Sequence, residues 1–229
     1  MKTIGLLGGM SWESSIEYER LLNQGVRARL GGTASADLIV RSYNFADIEA
    51  LQEAGDWEGA AELLARDAQR LVAAGAELIL LCTNTMHRVA PAIEAALGVP
   101  FLHIADATAD AVEGAGIHRV ALLGTRYTME HDFYRGRLAA RGFDVLVPDE
   151  PDRTVVHDVI YDELVRGVIN PESRYAYVGI VDRLLARGAE GVIAGCTEIE
   201  LLVAPADVSV HYFPTTALHV ERAIELALG

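Results

Sequence analysis

The chain has 229 residues, of which 51% are hydrophobic and 23% are charged, the composition of an ordinary globular protein that can bury a sizeable core. Its formal net charge of −14 argues against a nucleic-acid partner, because binding the phosphate backbone requires a basic face. No apolar run approaches the roughly 20 residues that span a bilayer, and the N-terminal apolar stretch is too short for a signal peptide, so we expect a cytoplasmic protein without a membrane partner.

Cysteine usage and glycine-rich motifs predict neither a metal nor a cofactor. The chain has two cysteines, Cys82 and Cys196, and neither lies in a Cys-x-x-Cys pair, which argues against a disulfide framework and against a structural zinc site. The stretch GLLGGM at residues 5–10 lacks both the Walker lysine and the spacing of a dinucleotide-binding loop. We therefore predict a site built from protein side chains and backbone.

Short apolar runs alternate with helical patterns along the whole chain. In chain order, eight runs are predicted as buried strands: Thr3–Leu7, Asp37–Ser42, Glu77–Cys82, Pro100–Ile104, Arg119–Gly124, Asp144–Val147, Gly191–Gly195 and Val208–Phe213. Helical periodicity predicts two shared faces, Ile16, Leu21, Leu22 and Val26 on one helix and Leu63, Leu64, Ala68, Leu71 and Val72 on another. A last helix is predicted to start at Thr215 or Thr216. This alternation predicts an α/β fold whose parallel sheets are covered by helices on both faces.

The chain also repeats itself. The stretch AAGAELILLCTNT at residues 73–85 matches ARGAEGVIAGCTE at residues 186–198, and IGLLGG near the start recurs in form as VALLGT. We therefore predict two similar four-stranded parallel-sheet α/β halves related by pseudo-two-fold symmetry, residues 1–108 plus 214–229 and residues 109–213. Because ligands of open α/β sheets bind at the carboxyl ends of strands, the active site is predicted in the cleft between the halves.

The repeat raises a question of strand register. Aligning the two Gly-Ala-Glu triplets without a gap sets Cys82 opposite Gly195 and Thr83 opposite Cys196. Matching Cys-Thr to Cys-Thr instead requires a shift of one residue, which turns every side chain of a strand to the other face. The ungapped register predicts that Cys82 ends a strand as a buried, inert thiol and that Thr83 takes the site position.

Six stretches of the sequence carry a family resemblance: GLLGGMSWES, TNTMH, LLGTRYTM, YDELVRG, GCTEI and TTALH. Over essentially its whole length, the chain resembles the aspartate/glutamate racemases, the amino-acid racemases that need no pyridoxal phosphate. The resemblance implies a homodimer and two acid/base residues on opposite sides of the substrate α-carbon, Cys196 and Thr83, where typical members have a second cysteine. It also implies a subgroup specific for L-aspartate and L-glutamate, with Met10, Gln52 and Thr125 lining the pocket.

The chemistry of such a site can also be argued from the residue types. Racemisation removes a proton from one face of a carbon and returns one to the other, and a thiolate suits this role because the ordinary pKa of cysteine is about 8.5. A threonine hydroxyl is a far weaker acid, so the two directions cannot be equivalent. Since the second-half cysteine serves the L-enantiomer in the family, we predict that Cys196 deprotonates L-substrates and that Thr83, or a water it holds, reprotonates the opposite face.

Polar residues after the two strands are candidates for stabilising the carbanion. Asn84, Thr85 and Thr197, with the amides of the turn at residues 8–10, are predicted to give oxyanion-type stabilisation to the substrate α-carboxylate. The alternative is that these side chains cap the helices that follow.

Two further residues have open alternatives. Glu198 either orients the thiol or the substrate ammonium group, or is a first-turn carboxylate favoured by the helix dipole. His87 either polarises Thr83 or binds a carboxylate, or it lies in the first turn of the next helix and faces solvent.

The substrate side-chain carboxylate requires a cation. Many relatives carry a lysine where this chain has Val165, with Arg166 beside it. Arg41 and Arg126 are the candidate substitutes.

Two other functions fit the same motifs. A lone second-half thiol also suits an enzyme of the arylmalonate decarboxylase or maleate isomerase type, and a protein that lost the first thiol could bind amino acids without turnover.

Overall fold

Eight strands and eleven α-helices alternate along the computed structural model, which describes residues 1–229. The strands are β1 (Ile4–Gly8), β2 (Leu38–Ser42), β3 (Leu78–Leu81), β4 (Phe101–Leu102), β5 (Arg119–Gly124), β6 (Asp144–Leu146), β7 (Gly191–Gly195) and β8 (His211–Pro214). The helices are α1 (Trp12–Leu30), α2 (Phe45–Glu53), α3 (Trp57–Ala73), α4 (Ala90–Ala96), α5 (Ile104–Gly114), α6 (Arg126–Glu130), α7 (Asp132–Ala139), α8 (Asp152–Asp162), α9 (Pro171–Ala186), α10 (Ile199–Leu202) and α11 (Thr215–Leu228). None of these helices is both long and apolar enough to cross a membrane.

The strands form two four-stranded sheets in which every neighbouring pair is parallel. Strand order is β2-β1-β3-β4 in the first sheet and β6-β5-β7-β8 in the second, so the two halves of the chain repeat one topology. The predicted α/β class with two four-stranded parallel sheets is confirmed. The chain divides into two compact units, Met1–Ile104 with His219–Gly229 and Ala105–Leu218.

In the first unit, apolar side chains cover both faces of the sheet. One face packs against α1 and α11, and the other packs against α2, α3 and α4. On α1 the buried stripe is Tyr18, Leu22 and Val26, whereas Ile16 is 53% exposed. The predicted face was therefore wrong at Ile16. Ile16 and Tyr18 are two residues apart on α1, so their side chains point about 200° apart around the helix axis, and it is Tyr18 that faces the core.

In the second unit, α8 and α9 cover one face of the sheet. Tyr177, Ile180 and Leu184 of α9 join Val156 and Ile160 of α8 in one buried cluster with the inward residues of β5 and β7. The buried hydroxyl of Tyr177 donates to the carbonyl of Val156 at 2.7 Å, which satisfies a polar group that burial would otherwise penalise.

Two predicted strands differ from the observed ones by more than one residue. β4 stops at Leu102 because α5 already begins at Ile104, whose N–H donates to the His87 ring instead of a neighbouring strand. β8 begins at His211, since a short 3₁₀ turn at Pro205–Asp207 precedes it and Val208 only packs against the core. The other six strands agree within one residue at each end, and α11 begins at Thr215 as predicted.

Candidate active site

The strand register of each sheet shows which residues of the two halves are equivalent. In the first sheet, Leu7 of β1 pairs with Leu81 of β3, two residues before Thr83. In the second sheet, the equivalent leucine of β5 pairs with Ala194 of β7, two residues before Cys196. The ungapped alignment of the repeat therefore matches the backbone pairing of both sheets, and Thr83 and Cys196 stand at equivalent strand ends.

The other cysteine, Cys82, packs into the core of the first unit. It is 0% exposed and shares the cluster of Leu78 and Leu80 beneath α1 and α11, whereas Ile79 and Leu81 belong to the cluster on the opposite face. Burial raises the pKa of the Cys82 thiol far above its ordinary value. Cys82 is thus a buried core thiol, as the ungapped register predicts.

Five of the predicted site residues lie at the carboxyl end of the first sheet and are almost completely buried. This first strand-end cluster is Met10, Gln52, Thr83, Asn84 and Thr85. Gln52, on α2, donates from Nε2 to the Sδ of Met86 at 3.1 Å, and Met86 packs in the same apolar cluster as Met10. Residues from three separate segments of the chain therefore meet at this edge.

The turn after β1 is held tightly against the segment after β2. Gly9 has φ +82°, and a Cβ at this position would lie 2.3 Å from the backbone nitrogen of Tyr43, so only glycine fits. The Gly9 N–H donates to the hydroxyl of Ser15 at 2.6 Å. This amide was predicted to stabilise the substrate, and that prediction is wrong for Gly9 in this structure because the first turn of α1 supplies its acceptor.

Capping does not explain the polar residues after the strands. Asn84 stands before the 3₁₀ helix Thr85–Val89, but its side chain makes no capping hydrogen bond. Thr197 instead donates its hydroxyl to Glu198 Oε2 at 2.7 Å, and the N-terminus of α10 also lacks a side-chain cap. The capping interpretation is therefore wrong for Asn84 and Thr197.

His87 is buried, so the interpretation in which it faces solvent is wrong. It is 1% exposed, with Nδ1 lying 2.7 Å from the carbonyl oxygen of Thr83. On the other side of the ring, the Ile104 N–H donates to Nε2 at 3.2 Å. His87 thus bonds to the backbone of the site residue itself.

The carboxyl end of the second sheet carries the second strand-end cluster, defined as Thr125, Cys196, Thr197 and Glu198, all buried. The Cys196 thiol donates to Glu198 Oε2 at 3.0 Å, and the Thr197 hydroxyl donates to the same oxygen. Burial, and then the neighbouring Glu198 carboxylate, raise the pKa of the Cys196 thiol well above its ordinary value. Of the alternatives for Glu198, a hydrogen bond to the thiol is what the structure shows; a contact with the substrate ammonium group stays a prediction.

Thr125 lies directly after β5, whose last residue pairs with the residue before Cys196. It follows Gly124, which pairs with Gly195 across β5 and β7. Its hydroxyl accepts from the Thr128 N–H at 3.3 Å and so caps α6. Thr125 therefore has a structural role at this strand end, and its predicted contact with the substrate stays a prediction.

Arg41 is committed to contacts within the first unit. Its Nε donates to the buried carboxylate of Asp67 at 3.1 Å, and its Nη1 donates to the Ser42 carbonyl at 2.6 Å. Removing it would leave Asp67 with fewer donors, so we assign Arg41 a structural role.

The other candidate cations belong to the second unit. Val165 packs against the apolar core there, and Arg166 beside it is exposed at the end of a 3₁₀ turn. Arg126 is exposed and directly follows Thr125 at the strand end; its backbone N–H donates to His157 Nδ1 at 3.2 Å. Among these three residues, Arg126 presents a charge next to the second strand-end cluster.

Metal ligation finds no support in the arrangement of the side chains, since no group of three or more His, Cys, Asp or Glu residues is placed to hold a metal ion.

Comparison with known proteins identifies the family. The family model described as Asp/Glu/Hydantoin racemase matches residues 7–223. The chain belongs to this racemase family. A candidate Asp/Glu racemase from Yersinia pestis is 54% identical over 100% of both chains, with a TM-score of 0.93.

Two further relatives are less similar to this chain. An aspartate racemase homologue from Pyrococcus horikoshii OT3 is 35% identical over 100% of both chains, with a TM-score of 0.87. An uncharacterized protein from the pnlA 3′ region of Pectobacterium carotovorum subsp. carotovorum is 30% identical over 126 residues, which are 54% of this chain and 83% of that protein. The family and its solved relatives together support an amino-acid racemase activity.

Proposed function

We propose that this racemase-family protein converts acidic amino acids, L-aspartate or L-glutamate, to the D-forms without pyridoxal phosphate. One observation carries the proposal: equivalent strand ends hold a thiol bonded to a carboxylate, Cys196 with Glu198, and a threonine, Thr83. The substrates named for the relatives from Yersinia and Pyrococcus support the acidic side chain. The proposal requires Cys196 and Thr83 to reach opposite faces of one α-carbon.

The first step is abstraction of the α-proton of the L-substrate by Cys196. Since the raised pKa keeps this thiol neutral in the free protein, the sulfur must release its own proton before it takes another. Glu198 Oε2, 3.0 Å from the sulfur, is the acceptor at hand. The S–H proton passes to Glu198, the α-C–H proton passes to sulfur, and the electron pair of the C–H bond stays on carbon as a carbanion.

The second step is proton return on the opposite face, at Thr83. A water held by the Thr83 hydroxyl gives its proton to the carbanion and leaves as hydroxide, which the proton on Glu198 neutralises through solvent. This arrangement gives a weak acid for protonation and no strong base for the reverse reaction. The D-enantiomer is therefore a much poorer substrate for deprotonation than the L-enantiomer.

The carbanion and the substrate carboxylates need charge stabilisation. We assign the α-carboxylate to the polar groups of Asn84 and Thr85 and to the backbone amide of Thr197, whose hydroxyl already donates to Glu198, because preorganised donors at a buried site stabilise developing charge strongly. For the side-chain carboxylate we assign Arg126, which lies one residue beyond Thr125 and keeps an exposed guanidinium.

A pair of variants distinguishes loss of the Arg126 contact with the substrate from a general loss of structure. Arg126→Gln should raise KM for L-aspartate about tenfold or more with a smaller change in kcat, since a hydrogen bond to a charged group is worth about 1.5–3 kcal/mol. The matched variant Arg41→Gln removes a cation that holds Asp67 and should lower the melting temperature without changing KM. Equal KM values for Arg126→Gln and the wild type would contradict the assignment.

Chiral chromatography of L-aspartate and L-glutamate incubated with the purified protein tests the function. The proposal predicts D-product from at least one of them, with no added pyridoxal phosphate. A decarboxylase or isomerase of the related types would leave both amino acids unchanged while acting on arylmalonate or maleate. A binding protein would show a raised melting temperature with L-aspartate and no product, and either result would overturn the proposal.

The homodimer implied by the resemblance stays a prediction, which analytical ultracentrifugation of the same sample checks.

A further inference from the structure

The first strand-end cluster contains a backbone carbonyl that a side chain holds in place. Thr83 lies beyond β3, whose last paired residue is Leu81, and the ladder continues only to the Cys82 N–H, which donates to the Leu7 carbonyl. The Thr83 carbonyl is therefore outside the sheet, and it receives the imidazole Nδ1 of His87 at 2.7 Å.

The two contacts of His87 determine where its proton lies. The Ile104 backbone N–H can only donate, so Nε2 must be the unprotonated acceptor. A neutral imidazole then carries its proton on Nδ1, which donates to the Thr83 carbonyl. His87 is thus held as one tautomer, with its ring centroid 4.4 Å from that of His103 and 5.7 Å from that of Phe101.

The second half of the chain supplies a natural comparison. In the register that matches Thr83 with Cys196, the counterpart of His87 is Glu200, four residues after the site residue. Glu200 Oε1 accepts the Thr216 N–H at 2.7 Å, as His87 accepts from the first residue of α5. A carboxylate has no proton to donate to a carbonyl, so only the histidine also bonds back to the site residue.

We propose that His87 is a positioning residue for the half of the racemisation that Thr83 carries out. Its Nδ1–H donates to the Thr83 carbonyl and holds that backbone in place, and its Nε2 accepts the N–H of Ile104, the first residue of α5. The inference rests on the proposed function. A threonine that must aim a weak acid or a single water at carbon depends on the position of its backbone.

Two substitutions separate the contacts of His87. The amide of His87→Asn can replace Nδ1–H toward the Thr83 carbonyl and gives up the Ile104 contact. His87→Gln can place its Oε1 near the Nε2 position, which keeps the Ile104 contact and gives up the Thr83 carbonyl. The first should preserve the Thr83 face of the reaction and the second should impair it.

The readout is a ratio measured in deuterated water with L-aspartate: D-product formed against deuterium incorporated into the recovered L-substrate. Loss of one hydrogen bond predicts a drop of about tenfold in this ratio for His87→Gln, with KM unchanged and with a ratio near the wild-type value for His87→Asn. Because both products come from the same folded molecules, partial unfolding does not alter the ratio. Glu200→Gln, the control in the other half, should leave it unchanged.

Nitrogen NMR of the wild-type protein tests the same inference without a variant. The Nδ1–H tautomer of His87 is expected, and an Nε2–H tautomer or an imidazolium would overturn the inference, even if neither variant folds. Equal ratios in a racemising wild type and both His87 variants would also overturn it and leave the proposed function standing. Absence of both exchange and D-product in the wild type would remove the proposed function, and this inference with it.

Discussion

The strand ends after β3 and β7 share one register and differ in chemistry. After β3, the thiol of Cys82 comes one residue early, lies at 0% exposure in an apolar cluster, and has a threonine in the next position. After β7, glycine takes the early position and the thiol of Cys196 follows, 8% exposed and 3.0 Å from a carboxylate oxygen.

This difference shows that the position and surroundings of a cysteine, and not its presence alone, decide whether it can act as the proposed base. Both thiols have a raised pKa through burial, but Cys196 also donates a hydrogen bond to a buried carboxylate, the proton acceptor that we propose. An internal repeat can therefore keep its backbone while losing the chemical symmetry of its two ends. We therefore expect a racemase with one strong base and one weak acid.

The largest expected effect comes from removing one thiol at a time. Cys196→Ala should lower racemisation of L-aspartate at least ~10³-fold, the range that general acid–base groups supply. Cys82→Ala deletes a sulfur from the packed core, so it should lower stability by roughly 1–2 kcal/mol and keep most of the activity. Chiral chromatography and thermal melts measure the two. Greater loss of activity in Cys82→Ala would reverse the assignment of the two cysteines.

Restoring the missing thiol should reduce the asymmetry. Thr83→Cys places a thiol at the end equivalent to Cys196 and should speed deprotonation of D-aspartate about 100-fold, within the contribution of a positioned base. The matched variant Thr83→Ser keeps a hydroxyl and should leave the D-rate at the wild-type level. Solvent deuterium exchange into pure D-aspartate measures both. A rate equally low in Thr83→Cys would show that the identity of this residue does not set the rate of D-enantiomer deprotonation.

The carboxylate beside Cys196 should affect two rates in opposite directions. Glu198→Gln removes a proton acceptor, so racemisation should fall roughly 10–100-fold, as for loss of a hydrogen bond to a charged group. It also removes a negative charge that raises the pKa of Cys196, so alkylation of this thiol by iodoacetamide at pH 8 should become several-fold faster. Mass spectrometry of the Cys196 peptide follows the labelling. Alkylation no faster than in the wild type would contradict the effect of Glu198 on the thiol. A thermal melt of Glu198→Gln is the control, because unfolding would also expose the buried Cys196 and speed its alkylation.

A smaller predicted effect is on the pH dependence of the free energy of unfolding, through a buried histidine of the first unit. His219 is 0% exposed in the first unit, and burial lowers its pKa from 6.5 to about 4. As pH falls between these values, His219 becomes protonated in the unfolded chain but stays neutral in the folded protein. The free energy of unfolding therefore decreases, by about 3 kcal/mol at 1.36 kcal/mol per pKa unit.

Urea unfolding at several pH values checks this prediction. His219→Gln should flatten the dependence between pH 6.5 and 4 and leave the loss below pH 4, where the lowered pKa of Asp67 makes protonation of that carboxylate destabilising. The same slope in both proteins would contradict the assignment to His219.

Much of the fold could be predicted because strand burial and helix periodicity are local properties of the sequence. All eight strands were located, and the ungapped repeat predicted the buried position of Cys82, since pairing fixes which face each residue takes. The misjudged position of Ile16 shows the limit of periodicity, because the choice between neighbouring helical faces depends on what packs against them.

Side-chain directions at the site could not be predicted in the same way. The Glu198 carboxylate contacts the Cys196 thiol and the Thr197 hydroxyl, and the choice between the thiol and the helix N-terminus is not encoded in a local pattern. The role of His87 depended on Ile104, seventeen residues away, whose N–H became available only because β4 ended early. These contacts are tertiary, so no local sequence pattern predicts them.

The most direct test is solvent deuterium incorporation at the α-carbon of L- and D-aspartate, followed separately by proton NMR with the wild-type protein. We expect rapid incorporation starting from the L-enantiomer and much slower incorporation starting from the D-enantiomer. Equal rates from the two enantiomers would contradict the division of labour between Cys196 and Thr83.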